Sequence, residues 1–271
     1  MPLITITDSF GDTGVEVANR VAEDLAVEVF DNHQLQAIVA DMGISSGSGV
    51  EFDKQTPGFW ERLLSREPQV YLDAIEAAVY DIARKGEGVI IGHGSQMLLR
   101  DFECAFHVRL FSDFRARVDN LIISQGIDQV AAANLIANSD KNQKGFFNYA
   151  FQMDLDTPSL YDLIINIGKM KTGTIANLIV GAVRSDDIRS CDLDALSSMK
   201  RLSLQRNIHA ELLENNIDMS TLNIAVPQIG TADITGVAAS QDEKNRIPEI
   251  VEKVQGVSQV NTDISVWVYT L

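Results

Sequence analysis

The chain reads as a three-layer α/β protein with a parallel sheet and flanking helices, followed by a small C-terminal α+β unit of order αββαβ. Three observations predict this. In the first part of the chain, short apolar runs alternate with stretches whose apolar residues recur every three or four positions, as in strands joined by helical crossovers. Polar and glycine residues gather where the apolar runs end. At "RSDDIRSCDLDAL" (184–196) a polar, charge-rich join intervenes, after which the order becomes helix, two strands, helix, strand.

"LITIT" (3–7) is a strand, and a helix runs from about Gly14 to Leu25. "VEVF" (27–30) is a second strand and "DNHQLQAIVADMG" (31–43) a second helix. "SSGSG" (45–49) reads as flexible and "GFWERLL" (58–64) as helical. "PQVYLDAIEAAVYDIARKG" (68–86) is a longer helix closing on Gly86. "GVIIGHG" (88–94) is a buried strand ending in a glycine turn, and "AFHVRLFS" (105–112) and "YDLIINI" (161–167) are further strands. Ligands of such sheets bind beyond the carboxyl ends of the strands. Here those ends are Asp8–Gly14, Asp31–His33, Gly92–Gly94 and Ser112–Arg117. Past the join come a helix (193–216), strands 222–226 and 231–238, a helix (241–254) and a strand (260–270). These make a unit of about 75 residues, enough for its own small core. The boundary is expected near Ser190, with domains 1–189 and 190–271.

Composition narrows the function classes. At 45% apolar and 22% charged residues, the chain is an ordinary globular protein. No apolar run approaches the roughly 18 to 20 residues of a bilayer-spanning helix. "MPLITIT" carries no basic leader or signal core, so a cytoplasmic location is expected. The two cysteines, Cys104 and Cys191, form neither a framework nor a metal-ligand spacing, and reduced thiols are expected. A formal net charge of −16 disfavours nucleic acid and anionic membrane as partners, while leaving room for a small basic pocket.

The segments "ITITDSFGDTGVEVANRVAEDL", "VEVFDNHQL", "GVIIGHGSQMLL", "LFSDFRARVDNL", "NSDKNQKGFFNYAF" and "SLYDLIINIG" occur in the order found in the cytidylate kinase-like family. Residues 3 to about 182 resemble that branch of the P-loop nucleoside monophosphate kinases. The resemblance implies a five-stranded parallel sheet and a mobile lid. In active members it implies transfer of the γ-phosphoryl of ATP, with Mg, to a pyrimidine nucleoside monophosphate. "DITGVAASQDEKNRIPEIVEKVQGVSQVNTDISV", with Gly236 after the second strand, resembles a BON domain. That resemblance implies phospholipid or ligand binding and is common in exported proteins, a setting at odds with the missing signal.

Phosphoryl transfer depends on positioning and on positive charge about the moving phosphate. A phosphate loop supplies backbone amides, a helix amino end and usually a lysine. The loop here reads Gly11-Asp12-Thr13-Gly14. The family tends to have serine and glycine in place of Asp12 and Thr13, and arginines in place of Asp8 and Val15. Like charges about 4 Å apart repel by roughly 1 kcal/mol in water and about 4 kcal/mol at an effective dielectric near 20. Asp12 therefore opposes a triphosphate unless magnesium bridges the two. On the plainer reading, the glycines make a strand-to-helix turn capped by Asp12 or Thr13.

The resemblance maps other positions too. His93, between Gly92 and Gly94, stands where an arginine is typical, and lacks its bidentate fork; it can also simply cap the turn. Asp140 and Lys141 are retained in the lid, Gln143 replaces an arginine, and Lys144 could compensate. Arg117 matches a family arginine or pairs with a carboxylate near its helix start. Asp31 matches an acidic position near the acceptor or caps a helix, and Asp162 reads as structural. Phe59 and Trp60 suit a base stack or a core. His33, His107 and His209 make no metal spacing. In the BON-like half no residue looks catalytic, and Trp267 and Tyr269 could cover a partner surface or an edge.

The reading favoured is a degenerate kinase-like protein with weak or lost phosphoryl transfer, a nucleotide-sensing or interaction module joined to a BON-like binding domain. A homo-oligomer or protein partner through either domain is expected. The rival is an active cytidylate-type kinase. In it, Lys141, Arg117 and Lys144 act on the transferring group, while Gly11, Asp12, Thr13, Gly14, Asp31, Gly92, His93 and Asp140 hold nucleotide, with ATP and Mg as cofactors and no resident metal.

Overall fold

The computed structural model describes residues 3–42, 68–188 and 191–267. The stretches 45–49 and 58–64, with Phe59 and Trp60, lie outside the described residues, as do Ser190 and Tyr269. The strands are β1 (Leu3–Thr7), β2 (Val29–Phe30), β3 (Gly88–Ile91), β4 (Ala105–Phe111), β5 (Leu163–Asn166), β6 (Leu222–Gln228), β7 (Thr231–Ala238) and β8 (Gln259–Val266). The α-helices are α1 (Gly14–Leu25), α2 (Asn32–Asp41), α3 (Pro68–Ala83), α4 (Ser95–Leu98), α5 (Phe114–Gln125), α6 (Gln129–Phe151), α7 (Thr172–Val183), α8 (Leu193–Glu214) and α9 (Gln241–Val251). The described residues divide into two compact units. One holds residues 3–34, 85–188 and 191–192, and the other holds 35–42, 68–84 and 193–267.

The first unit is built on a parallel sheet of order β2-β3-β1-β4-β5. β1, β3 and almost all of β4 are buried, as their largely apolar sequences suit strands covered on both faces. On one face, α1 turns Val17, Ala18, Val21, Ala22 and Leu25 inward, a three- and four-residue stripe, and α7 adds Ile175, Ala176, Ile179 and Val180 to the same core. The chain runs outward from β1 to β2 and returns through β3. It then crosses to β4 on the opposite side of β1, which puts the carboxyl ends of β1 and β4 at the switch point of the sheet.

Two helices, α5 and α6, fill an interval in which the sequence reading placed motifs but no elements. Asp113 caps α5 by accepting from the Ala116 amide, and Asp128 caps α6 by accepting from Val130 and Ala131. The expected lid residues 140–151 are the second half of α6, one continuous helix. Cys104 and Cys191 form a disulfide, with Cα atoms 4.8 Å apart, which corrects the expectation of reduced thiols. A separation of 87 residues gave no sign of the pairing; the fold brings the segment after α7 to the entry of β4.

The second unit contains the sheet β6-β7-β8, antiparallel between β6 and β7 and parallel between β7 and β8. Ile208 and Leu212 of α8, and Ile247 and Val251 of α9, close its core over Ala232 and Ile234. The helix-strand-strand-helix-strand order is the one expected from sequence. The cut expected near Ser190 does not capture the whole unit, because α3 and most of α2 also belong to it. From Leu72 to Ala83 every α3 side chain but Asp81 is buried, and α8 supplies one of the surfaces that bury it. Polar and charged side chains meet at that contact. His209 Nδ1 lies 2.6 Å from Asp73 Oδ2, Arg206 Nε meets Glu76 Oε2, and Ser203 Oγ donates to the Ala77 carbonyl at 3.0 Å.

Candidate functional site

The loop between β1 and α1 occupies the switch point. Its turn closes through the Asp12 amide, which donates to the Ser9 carbonyl at 3.1 Å. Phe10 packs on an apolar cluster of Val118 and Leu121 from α5 and Ala132 and Ile136 from α6. Two α5 side chains hold the loop carbonyls: Arg117 Nη1 donates to Phe10 O at 3.3 Å and Asn120 Nδ2 to Gly11 O at 3.2 Å. Gly11 sits at φ +89°, and a Cβ there would come 3.2 Å from both Arg117 Cβ and Arg117 O. The glycine is required by conformation and by space.

The loop's carboxylates turn onto the protein itself. Asp8 is buried against the first residue of α1, so that a Cβ on Gly14 would overlap its carboxyl group. Thr13 occupies the N-cap position of α1 but makes no side-chain capping bond. Asp12 does not cap either, because its Oδ1 accepts from Ser112 Oγ just past β4. Its Oδ2 is buried with no hydrogen-bond partner. Burial, with Asp8 nearby, raises the Asp12 carboxyl above its ordinary range despite the Ser112 hydrogen bond and the Arg117 charge.

Two clefts flank the loop. The first, about 350 Å³, is lined by the loop, Val15, Glu16 and residues of α5 and α6. Among the described residues its lining holds Asp8, Asp12 and Glu16 and no Lys, Arg or His. The second, about 460 Å³, is lined among others by Ser9, Arg109, Arg117, Asp140, Lys144 and Asp156. Arg117 makes a two-pronged pair with Asp140, 2.8 Å on each side. Burial pulls the Arg117 guanidinium down, but Asp140 outweighs it and the net shift is upward. Lys144 Nζ reaches Asp156 Oδ2 at 2.8 Å, which raises the ammonium. Burial alone would raise Asp156, yet Lys144 and Arg109 hold it below the usual carboxylate range. Tyr161, half-buried at the same cleft with its hydroxyl donating to Leu155 O at 2.8 Å, is pushed up to about 12 by desolvation.

The residues singled out by sequence are thus only partly brought together. Asp140, Gln143 and Lys144 lie at helical spacing on the α6 face that lines the second cleft, and Arg117 faces them from α5. Lys141, one position on from Asp140, points elsewhere and is exposed. Asp31 serves its helix, its Oδ1 accepting from the amides of His33 (2.8 Å) and Gln34 (3.2 Å). His93, only 4% exposed and at φ +56°, hydrogen-bonds Asn32 Oδ1 beyond β3, where Gly92 and Gly94 also have positive φ. A buried non-glycine residue in that region is a strained position of the kind found at functional sites. Asp162 is structural, its Oδ2 accepting from the His107 amide at 2.7 Å.

Sequence reasoning missed Arg109. It lies in β4 opposite Thr7 of β1, is 7% exposed, and donates through Nη2 to Ser9 Oγ (3.1 Å) and Asp156 Oδ1 (3.3 Å). The signal was present in "AFHVRLF", an arginine in a strand otherwise fit for burial. Among the described residues no group of three or more His, Cys, Asp or Glu is arranged to hold a metal ion.

A solved structure of an uncharacterized protein from Eubacterium ventriosum superposes with a TM-score of 0.54 at 20% identity, covering 67% of this chain and 97% of that one. Shikimate kinase from Acinetobacter baumannii aligns with a TM-score of 0.42 at 12% identity, over 70% of this chain and 96% of its own. A uronate isomerase from Corynebacterium glutamicum is 26% identical over 93 residues, 34% of this chain and only 18% of that enzyme's length. The BON domain model matches residues 202–266, and the cytidylate kinase-like family model matches residues 3–169. The chain therefore belongs to the cytidylate kinase-like family, with a BON domain following the kinase-like segment.

Proposed function

We propose that the kinase-like unit is a nucleotide-sensing or interaction module with weak or lost phosphoryl transfer, joined to the BON domain as a second binding element. One observation carries this reading: the loop's own carboxylates occupy the ground a phosphate would need. Asp8 lies at the amino end of α1, where the helix dipole favours an anion, and Asp12 is turned onto Ser112. Among the described residues, the adjoining cleft offers a polyphosphate three carboxylates and no cation. A magnesium nucleotide suits this loop poorly. Asp12 Oδ2 is buried with no hydrogen-bond partner, and burial raises its carboxyl above the ordinary range, which adds to the cost of using it as an ionised magnesium ligand.

A coupled assay of the full chain with ATP, magnesium and CMP, dCMP or UMP tests this, alongside thermal melts with each nucleotide. The expected result is turnover at or barely above the enzyme-free blank, with any rise in melting temperature marking binding. Steady magnesium-dependent turnover at about 1–100 per second, the ordinary range of kinases, would sink the reading.

The rival, an active monophosphate kinase, draws support from the meeting of Arg117, Lys144 and Asp140 in one cleft bordered by Ser9 of the loop. Under it, Arg117→Ala and Lys144→Ala would each abolish turnover while the protein remained folded.

A further inference from the structure

The second cleft contains a cation whose hydrogen-bonding capacity is largely unspent. Arg109 is buried in β4, and holding a guanidinium there is costly unless it is well paired. Its pairing is meagre. Nη2 is shared between Ser9 and Asp156 at 3.1 and 3.3 Å, and Nη1 is buried with no hydrogen-bond partner at all. Arginine suits a two-oxygen partner met by parallel N–H groups, and Asp156 does not meet it that way. Asp156 instead divides itself, giving Oδ1 to Arg109 and Oδ2 to Lys144, while its side chain remains 48% exposed. The contrast with Arg117 is direct, since that guanidinium is already held by both oxygens of Asp140. Ser9 accepts from Arg109, which leaves its own proton to donate. In a chain of net charge −16, this cleft gathers Arg109, Arg117 and Lys144 against two carboxylates.

We propose that Arg109, with Ser9 and Lys144, forms a subsite for a tetrahedral oxyanion, namely the phosphate of a phosphomonoester or free inorganic phosphate, and that Asp156 occupies it as an internal competitor. An incoming phosphate displaces the exposed Asp156 carboxylate, takes both prongs of the Arg109 guanidinium and accepts from Lys144 and the Ser9 hydroxyl. This deepens the reading above by naming the group through which a ligand is held, and it rests on that reading only in taking the kinase-like unit to bind one.

The test is titration calorimetry of the full chain at constant ionic strength with inorganic phosphate and, separately, CMP. Arg109→Met is expected to weaken binding of both at least tenfold. Asp156→Asn, at a half-exposed side chain that leaves the fold intact, is expected to tighten both severalfold, an outcome that a merely structural Asp156 would not give. CMP binding tenfold or more tighter than phosphate identifies a phosphomonoester site, and equal affinities identify a free-oxyanion site. The proposal fails if neither probe binds the folded wild type or the Asp156→Asn variant. It fails equally if Asp156→Asn weakens binding, or if folded Arg109→Met binds as wild type does. Should Arg109→Met not fold, the Asp156→Asn result decides. Turnover with ATP would overturn the degenerate-kinase reading without touching this one, and silence toward phosphate would do the reverse.

Discussion

The two clefts beside the β1–α1 loop share Ser9 and Gln143 in their linings, yet among the described residues one is wholly acidic and the other sets three cations against two carboxylates. The cleft that a phosphate loop would serve is lined by Asp8, Asp12 and Glu16, whereas the other holds Arg109, Arg117 and Lys144. A kinase-like fold can thus keep its switch-point geometry while, among the described residues, the cations lining the two clefts lie on one side of the loop. Geometry at a switch point follows from strand order, but the sign of the charge is set by individual side chains.

Removing Arg117 is the largest break to this contrast. Arg117→Ala strips the buried partner from Asp140 and releases the Phe10 carbonyl, and should cost about 2–4 kcal/mol of stability, read as a lower denaturation midpoint in urea. Next comes Gly14→Ala, which drives a methyl into the Asp8 carboxyl and should cost about 1–3 kcal/mol. Adding Asp8→Ala to it should recover part of that loss; strict additivity of the two changes would show that Asp8 does not lie against the helix.

A smaller effect tests the acid side. The Asp12 carboxyl is raised in the folded protein, so the native state binds more protons than the unfolded chain. Its contribution is fully present below the unfolded value near 4 and is lost as pH rises through the folded value. Asp12→Asn should therefore gain on wild type as pH climbs from about 4 toward neutrality, and parallel stability–pH curves would refute this. The smallest effect belongs to the rim. Lys144 and Asp156 are 56% and 48% exposed, so Lys144→Ala should change stability by no more than about 1 kcal/mol.

Most of the fold was legible in the chain, because burial of parallel strands leaves unbroken apolar runs and helices leave three- and four-residue spacing. "GVII" is such a run, "LITIT" and "AFHVRLF" are largely apolar ones, and the Val17–Leu25 stripe of α1 is such a spacing. The acidic character of the loop was legible for the same reason, since Asp8, Asp12 and Glu16 are local. Lys141 and Lys144 looked equivalent as letters; only the angular period of α6 puts one in the cleft and leaves the other in solvent.

By itself, then, the sequence determined the two architectures, their order and the depletion of cations around Gly11–Gly14. All of these are encoded in runs and neighbours a few residues apart. The tertiary structure alone decided what depends on distant segments meeting. It pairs Ser112 with Asp12, Arg117 with Asp140 and Arg109 with Asp156, joins Cys104 to Cys191, and places α3 in the second unit. These contacts span from 23 residues to 100, and local periodicity carries no information about a partner so far along the chain.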